Sequence, residues 1–454
     1  MRTKTCRDET RSAAPDHRTG PPTRDDCVAL DAVDPIGALR DQFSLPEHMI
    51  YLDGNSLGAL PRATAARVAD VVTREWGRDL IDSWNSAGWI DAPRRAGDAL
   101  APLIGARAGE VAVADSTSIN LFKVLTVAMR LAADHDPVRK VVVSETDNFP
   151  TDLYIAEGVL GQGGGSLSLV PATPGDVRTD AIVAALGPTT AVLMLTHVNY
   201  RSGAMHDMKR LTQIAHEAGA LVVWDLAHSA GAVPIDLHAA DADFAIGCGY
   251  KYLNGGPGAP AFLWVHPRHV ERFRQPLSGW MGHAAPFAFV PGYAPAAGVD
   301  RFLCGTPAIL SMAALECGIA SLKMPGVSDD PMPALRAKSI ALTALFIDLV
   351  EARCGDALLL ATPRDPALRG SQVSFHARGA IAGHGYPVMR ALIERGVVGD
   401  FRKGATDDGD ILRFGFTPAY LRYVDVFDAV DLIADVVANG RYREERFSVR
   451  AAVT

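Results

Sequence analysis

A buried strand followed at once by a lysine in a loop rich in glycine and proline most constrains how this chain can fold. The apolar run 243–247 has the length and composition of a buried strand, and it leads into the loop 247–258, GCGYKYLNGGPG, which contains Lys251. A second apolar run, 259–265, follows. Burial disfavours the ammonium form of a lysine and frees its amine lone pair, which suits Lys251 to nucleophilic chemistry. Taken alone, a solvated lysine in a surface loop is the commoner interpretation.

An aspartate and a histidine just upstream favour the catalytic interpretation. Asp225 ends the apolar run 220–225, and His228 follows three residues later. Asp225 could keep a pyridinium nitrogen protonated, and His228 could stack on or orient the ring, as a pyridoxal phosphate (PLP) enzyme requires. Strand-end aspartates also bind metals or riboses in α/β folds, so this pair leaves other sites open.

Strands that alternate with helices predict an α/β fold with a mostly parallel, doubly wound sheet. Thr196 ends the apolar run 190–196 and Asp225 ends the run 220–225. Lys251 follows the run 243–247. Because ligands bind such sheets at the carboxyl ends of the strands, we expect these three residues to lie at one edge.

The hydroxyl-rich turn 115–120 is a candidate phosphate site. It joins a short strand, 111–114, to an apolar-periodic helix that begins near residue 121. Free N–H groups at the start of a helix bind anions, and Thr117 and Ser118 could add hydroxyl donors. Ordinary capping of the helix would use the same residue types, so the spacing alone leaves both interpretations open.

Five motifs, in one order along the chain, resemble those of the kynureninase family. They are FPTD at 149–152, DLAHSAG at 225–231, YKYLNGGPG at 250–258, GWMGH at 279–283 and LRFGFTPAY at 412–420. The similarity runs from about residue 51 to about residue 427. It implies a fold type I PLP enzyme of the class V aminotransferase superfamily, of bacterial type. Aminotransferases and cysteine desulfurases share the Asp…Lys part, whereas GWMGH and RFGFTP point to kynureninase.

The resemblance implies hydrolysis of the Cβ–Cγ bond of L-kynurenine to anthranilate and L-alanine, in tryptophan catabolism. The 3-hydroxy form of the substrate stays open. Lys251 would hold PLP and take the Cα proton, Tyr250 would act as an acid or base, and Asp225 would pair with the pyridinium nitrogen. Arg413 would bind the substrate α-carboxylate bidentately, although an arginine in a strand is often merely solvated.

The remaining site residues also come from the resemblance. Those expected to contact the cofactor are Thr117, Ser118, Phe149, Asp152, Thr196 and His228, together with Trp280 and Thr306 from the neighbouring subunit of a homodimer. Trp84 lies where bacterial members place a tryptophan against the substrate ring, although an aromatic after a helix is more often packing. Animal members tend to carry histidine at the position of Trp84 and asparagine at that of Thr306.

Composition excludes several classes of function. The chain has 454 residues, a net charge of −8 and a pI near 5.9, which argue against nucleic-acid and membrane-surface partners. No apolar run reaches the roughly 20 residues of a membrane span, and the polar N-terminus has no secretory apolar core. The six cysteines are scattered without metal-type spacing, which predicts a cytoplasmic enzyme without a metal site.

The expected organisation is a disordered N-terminal extension, 1–29, a large PLP-binding domain with an N-terminal arm, 30–325, and a small C-terminal α/β domain, 326–454. The linker is expected at 324–331, which is rich in proline and aspartate. Two other classes compete with kynureninase. One is a class V aminotransferase or cysteine desulfurase, and the other is a non-catalytic cofactor-binding protein, which the filled catalytic positions disfavour.

Overall fold

The computed structural model describes residues 21–171, 179–323, 330–404 and 409–451. Its α-helices are α1 (Arg24–Ala32), α2 (Arg62–Asp70), α3 (Ser83–Ser86), α4 (Ala92–Leu100), α5 (Thr117–His135), α6 (Pro150–Gly163), α7 (Thr179–Ala185), α8 (Met208–Glu217), α9 (Pro267–Val270), α10 (Ile309–Ala320), α11 (Met332–Cys354), α12 (Gly385–Glu394) and α13 (Tyr423–Asn439). Its strands are β1 (Phe43–Ser44), β2 (Ile50–Tyr51), β3 (Leu60–Pro61), β4 (Val111–Val113), β5 (Val141–Glu145), β6 (Ser166–Val170), β7 (Thr190–Thr196), β8 (Leu221–Asp225), β9 (Phe244–Gly247), β10 (Phe262–Val265), β11 (Leu358–Leu360), β12 (Gln372–Ala377), β13 (Val397–Val398), β14 (Asp400–Arg402) and β15 (Ile411–Gly415).

A seven-stranded sheet in the order β4-β10-β9-β8-β7-β5-β6 forms the larger layer. All strands run parallel except β10, which is antiparallel to both of its neighbours. Strands β7, β9 and β10 are buried along their whole length, as expected where helices cover both faces of a parallel sheet. The predicted fold class is confirmed.

A smaller antiparallel sheet follows in the C-terminal part of the chain, in the order β11-β12-β15-β14. The long helix α11 packs on it through Phe346, whose ring lies 5.0 to 6.0 Å from those of Phe375, Phe414 and Phe416. Residues 324–329 of the expected linker lie outside the described residues. No helix in the described part of the chain is long and apolar enough to cross a membrane.

Helix α1 begins inside the segment 1–29 that was expected to be a disordered extension. Residues 1–20 lie outside the described residues, and 24–29 belong to α1. Thr23 and Asp26 form a capping box, and Cys27 is fully buried. The Asp31 carboxylate accepts hydrogen bonds from the first backbone N–H groups of α13. This helix was not predicted because its sequence is polar. Contacts of charged side chains, rather than an apolar stripe, stabilise most of it.

Candidate active site

The carboxyl edge of the large sheet brings together the residues predicted from strand ends. Thr196 is the last residue of β7 and pairs in register with Asp225, the last residue of β8. Lys251 follows the end of β9 by four residues. These strands are neighbours and run parallel, so their side chains open into one space.

That space is a cavity of about 330 Å³. Predicted site residues that line it are Thr117, Ser118, Phe149, Asp152, Thr196, Asp225, His228, Tyr250 and Lys251. Trp84, Trp280, Thr306 and Arg413 do not line it.

Lys251 lines the cavity and contacts a histidine. Its Nζ is 3.0 Å from His228 Nε2, 5.9 Å from the centre of the Phe149 ring and 5.7 Å from that of Tyr250. Burial, followed by the charge of Lys251, holds the pKa of His228 well below its usual range. The imidazole is therefore neutral.

Asp225 and Asp152 form a buried, hydrogen-bonded carboxyl pair. Burial raises the pKa of Asp225, which the Lys251 charge and a 2.8 Å hydrogen bond from the Ala227 N–H oppose. Burial and the negative charge of Asp225 hold the pKa of Asp152 well above its usual range. Both shifts favour one proton shared by the pair, and the larger shift favours Asp152 as its carrier, which leaves Asp225 as the carboxyl to pair with a pyridinium nitrogen.

The N-terminus of α5 also lines the cavity. Ser116 is its N-cap, and its Oγ accepts from the Ile119 N–H at 3.4 Å. Capping therefore does not require the hydroxyls of Thr117 and Ser118, which remain suited to a phosphate. The fully buried Lys123 binds Asp115 at 2.6 Å and neutralises that carboxylate beside the helix start.

Tyr250 lies beside Lys251 as a neutral phenol. Its pKa is raised, first by burial and then by neighbouring Cys248 and Asp225. A phenol with a raised pKa can donate a hydrogen bond or a proton, but it is a poor base in its resting state.

Arg413 is not a solvated strand residue. It is 1% exposed, it forms an ion pair with Asp400, and it donates to Ser56 Oγ at 2.8 Å and to the Tyr200 carbonyl at 2.6 Å. Tyr200 itself lines the cavity, so the guanidinium lies directly behind the cavity wall. A substrate carboxylate would have to compete with Asp400 for it.

Trp280 and Thr306, which were expected to reach the site of a neighbouring subunit, lie outside the cavity of their own chain. The Trp84 ring packs 5.7 Å from that of Trp280, and both pack against Phe287, which is 56% exposed. Thr306 lines a separate cavity of about 280 Å³ that shares Asp115 with the first.

Sequence reasoning missed the partners that orient the site. Thr196 Oγ1 donates to Asn148, whose Nδ2 donates to Ser144 Oγ at 3.0 Å. In the small sheet, Gln372 binds His228 and Asp400 binds Arg413. Asn148 directly precedes the FPTD motif, and this position could have marked it as a site residue. No local pattern marked Gln372 or Asp400.

Solved structures share this fold at low sequence identity. The apo cysteine desulfurase of Thermococcus onnurineus NA1 matches with a TM-score of 0.72 and 19% identity, over 88% of this chain and 98% of that one. A variant of the cystine C-S lyase C-DES, with glycine covalently linked to its PLP cofactor, matches with a TM-score of 0.73 and 16% identity, over 87% of this chain and 99% of that one. Together with the lysine, the charged aspartate and the helix start, this fold defines a PLP-dependent enzyme of fold type I.

Sequence comparison gives the family within that class. Kynureninase of Burkholderia pseudomallei (strain K96243) is 55% identical over 95% of this chain and 100% of its own length, and kynureninase of Pseudomonas fluorescens is 53% identical with the same coverage. The model of the kynureninase C-terminal domain matches residues 335–433. The chain belongs to the kynureninase family, which confirms the prediction from the five motifs. It is a PLP-dependent hydrolase of carbon–carbon bonds.

Proposed function

We propose that this chain hydrolyses L-kynurenine to anthranilate and L-alanine, with Lys251, Asp225 and His228 at the centre of its site. The observation that carries the residue assignment is their convergence in one cavity at the carboxyl edge of the sheet. Family membership supports the reaction, and the geometry supports the roles.

The side chains of the cavity fit PLP. A helix N-terminus with the hydroxyls of Thr117 and Ser118 suits the phosphate, and the Asp225 carboxylate suits the pyridine nitrogen. Lys251 is the amine that would hold the aldehyde carbon, and the Phe149 ring is the aromatic surface beside it. When bound, PLP supplies an electron sink for the negative charge that develops as bonds to the amino acid carbons break.

The protein's own groups would position the substrate and move its protons. Lys251 Nζ would take the proton from the substrate Cα, since it is the amine that faces the cavity. Tyr250, a neutral phenol, would donate a hydrogen bond to the oxygen that becomes charged when water adds to the γ-carbonyl. Arg413 would bind the α-carboxylate after exchanging its bond to Asp400, because both are anionic acceptors for the same guanidinium.

The test is incubation of the purified protein with L-kynurenine, following anthranilate fluorescence while alanine is assayed in parallel. We expect the two products in equal amounts. Parallel incubation with the 3-hydroxy form tests ring preference. The proposal is wrong if kynurenine is consumed without anthranilate, or if only the amino group is transferred.

A cysteine desulfurase activity is the second candidate, because the structural neighbours include such enzymes. It needs a nucleophilic cysteine that reaches the substrate. No described cysteine lines the cavity, and burial raises the pKa of Cys354 to about 11, which disfavours its thiolate. Release of sulfide from cysteine at a rate comparable to kynurenine cleavage would reverse this ranking.

A homodimer with shared active sites is part of the proposal. Phe289 is 75% exposed and packs beside Trp280, so an apolar aromatic surface faces outward. Thr306 lines a cavity next to the phosphate end of the site. Burying this surface against a second copy would cover the aromatics and bring Trp280 and Thr306 towards the partner's cofactor.

A cytoplasmic location is also proposed, since the described cysteines are all free.

Hybrid dimers test the shared site. Lys251→Ala and Trp280→Ala proteins should each have little activity. Random mixing should then restore about a quarter of the native activity, because half of the dimers carry one intact site of two. A mixture no more active than its components, or a monomer in analytical ultracentrifugation, would show that Trp280 acts within its own chain.

We also propose the division of the chain into a large domain, 30–325, and a small domain, 326–454.

A further inference from the structure

Gln372 is a fully buried side chain that reaches from the small sheet into the site. It is the first residue of β12 and is 0% exposed. Its Nε2 donates to the carbonyls of Asn199 and Tyr200, both at 3.1 Å, in the segment after β7. Its Oε1 lies 3.0 Å from His228 Nδ1.

These contacts fix which nitrogen of His228 carries the proton. A backbone carbonyl can only accept hydrogen bonds, so the amide nitrogen of Gln372 must face the two carbonyls. The amide oxygen then faces His228 Nδ1, and an oxygen lone pair requires a proton there. Since burial beside Lys251 keeps the pKa of this histidine low, the ring is neutral and Nε2 carries the lone pair.

We infer that Gln372 is a positioning residue that holds His228 in the Nδ1–H tautomer, so that Nε2 accepts a hydrogen bond beside Lys251. The inference deepens the proposed function and rests on it for the role of His228 in turnover. The tautomer itself is a property of the protein and does not depend on the substrate.

The tautomer matters because His228 Nε2 is 3.0 Å from the Lys251 amine. With the lone pair at Nε2, the histidine stabilises any donor that faces it, including the lysine ammonium. With the proton at Nε2, two donors would face each other in a buried site, where an unsatisfied polar group is destabilising. The wrong tautomer would therefore move the lysine away from its working position.

A purely structural role is the alternative. Gln372 joins the small sheet to the 199–200 segment, and that link alone could explain its burial. Ser374 offers a matched control, because it lies on the same face of β12, is also 0% exposed, and donates from Oγ to the Arg201 carbonyl at 2.5 Å. Ser374→Ala removes a comparable link without touching His228.

The experiment measures the protonation of His228 Nδ1 directly in the holoenzyme. Histidine labelled with ¹⁵N at Nδ1 is incorporated, and solid-state NMR of the sedimented protein separates protonated from unprotonated nitrogens. The His228 signal is assigned by its loss in His228→Asn. We expect a protonated Nδ1 in the native protein and in Ser374→Ala.

Gln372→Met, which has the same length but no acceptor, should lose the protonated signal wholly or in part. Its kcat/KM for kynurenine should fall about tenfold or more, while Ser374→Ala stays within about twofold of the native value. An unprotonated Nδ1 in the native protein overturns the inference, and so does an undiminished protonated Nδ1 signal in Gln372→Met. If Gln372→Met does not fold, the native protein still decides, because an unprotonated Nδ1 there refutes the inference. A protein with the expected tautomer but no kynurenine hydrolysis would refute the proposed function alone.

Discussion

Arg413→Ala should reduce both the stability of the protein and its affinity for kynurenine. The native guanidinium is buried, forms an ion pair with Asp400, and donates to Ser56 and to the Tyr200 carbonyl. Removing one partner of a buried pair costs about 3–5 kcal/mol. Arg402 still binds Asp400 at 2.7 Å, so we expect a loss near the lower end, about 3 kcal/mol.

That free energy predicts a modest shift in melting temperature. The unfolding entropy of a chain of 454 residues is about 1 kcal/mol per kelvin, so the apparent Tm should fall by about 3 °C. The catalytic effect should be larger. Loss of a charge-assisted bidentate bond to the substrate carboxylate costs about 2–5 kcal/mol, roughly thirtyfold or more in kcat/KM.

A competitive inhibitor separates the two effects. An analogue of kynurenine without the α-carboxylate makes no bond to Arg413, so its inhibition constant should be nearly the same in native protein and Arg413→Ala. Arg413→Lys should recover part of the stability but little of the kcat/KM, since an ammonium cannot reproduce the planar fork. The matched control Ser56→Ala removes one neutral partner of Arg413 and should leave kcat/KM within about threefold. Normal kcat/KM in folded Arg413→Ala would refute the substrate role and leave only the ion pair with Asp400.

Three further predictions follow from the site and its surroundings. Borohydride reduction of the holoenzyme should fix the cofactor on Lys251, as peptide mass spectrometry would show, and a label on any other lysine would contradict the assignment. Asp225→Asn should keep the fold but lower kcat about a hundredfold, a cost of about 3 kcal/mol, because the neutral amide lacks the negative charge that keeps the pyridine nitrogen protonated; a native rate with bound cofactor would show that the charge is not needed. Burial beside Asp400 raises the pKa of Asp53 from 3.8 to about 7, so the folded state holds a proton that the unfolded state has released. Stability should therefore fall as the pH rises from about 4 to about 7, and Asp53→Asn should remove that fall and raise the Tm at pH 8; an unchanged pH profile in thermal melts would place the titration elsewhere.

The sequence predicted the positions of strands, and of the polar residues at their ends, where these follow from a local hydrophobic pattern. Apolar runs of strand length, each followed by a polar residue, predicted that Thr196, Asp225 and Lys251 share an edge, and they do. The apolar runs 190–196 and 220–225 match strands β7 and β8 to within one residue. Such elements are readable because burial imposes a period on the residues of one segment.

Partners that meet only in the folded chain were not predictable. His228 binds Gln372 across 144 positions, and neither residue shows a local signal for the other. Asp152, expected only to contact the cofactor, lines the cavity and is also hydrogen-bonded to Asp225, a contact that its sequence context did not indicate. The helix beginning at Arg24 was missed because its stabilising contacts are with α13, about 400 residues away.

The Tyr200 carbonyl links Arg413 to Gln372, the residue that binds His228. It accepts from Arg413 Nη1 at 2.6 Å and from Gln372 Nε2 at 3.1 Å, so both of its lone pairs are used. The two donors come from the adjacent strands β15 and β12, and the second of them also binds His228. A movement of the small sheet away from this segment would release the arginine and the histidine together. The contact is made by the backbone, so replacing the Tyr200 side chain should alter the cavity wall but leave both hydrogen bonds in place.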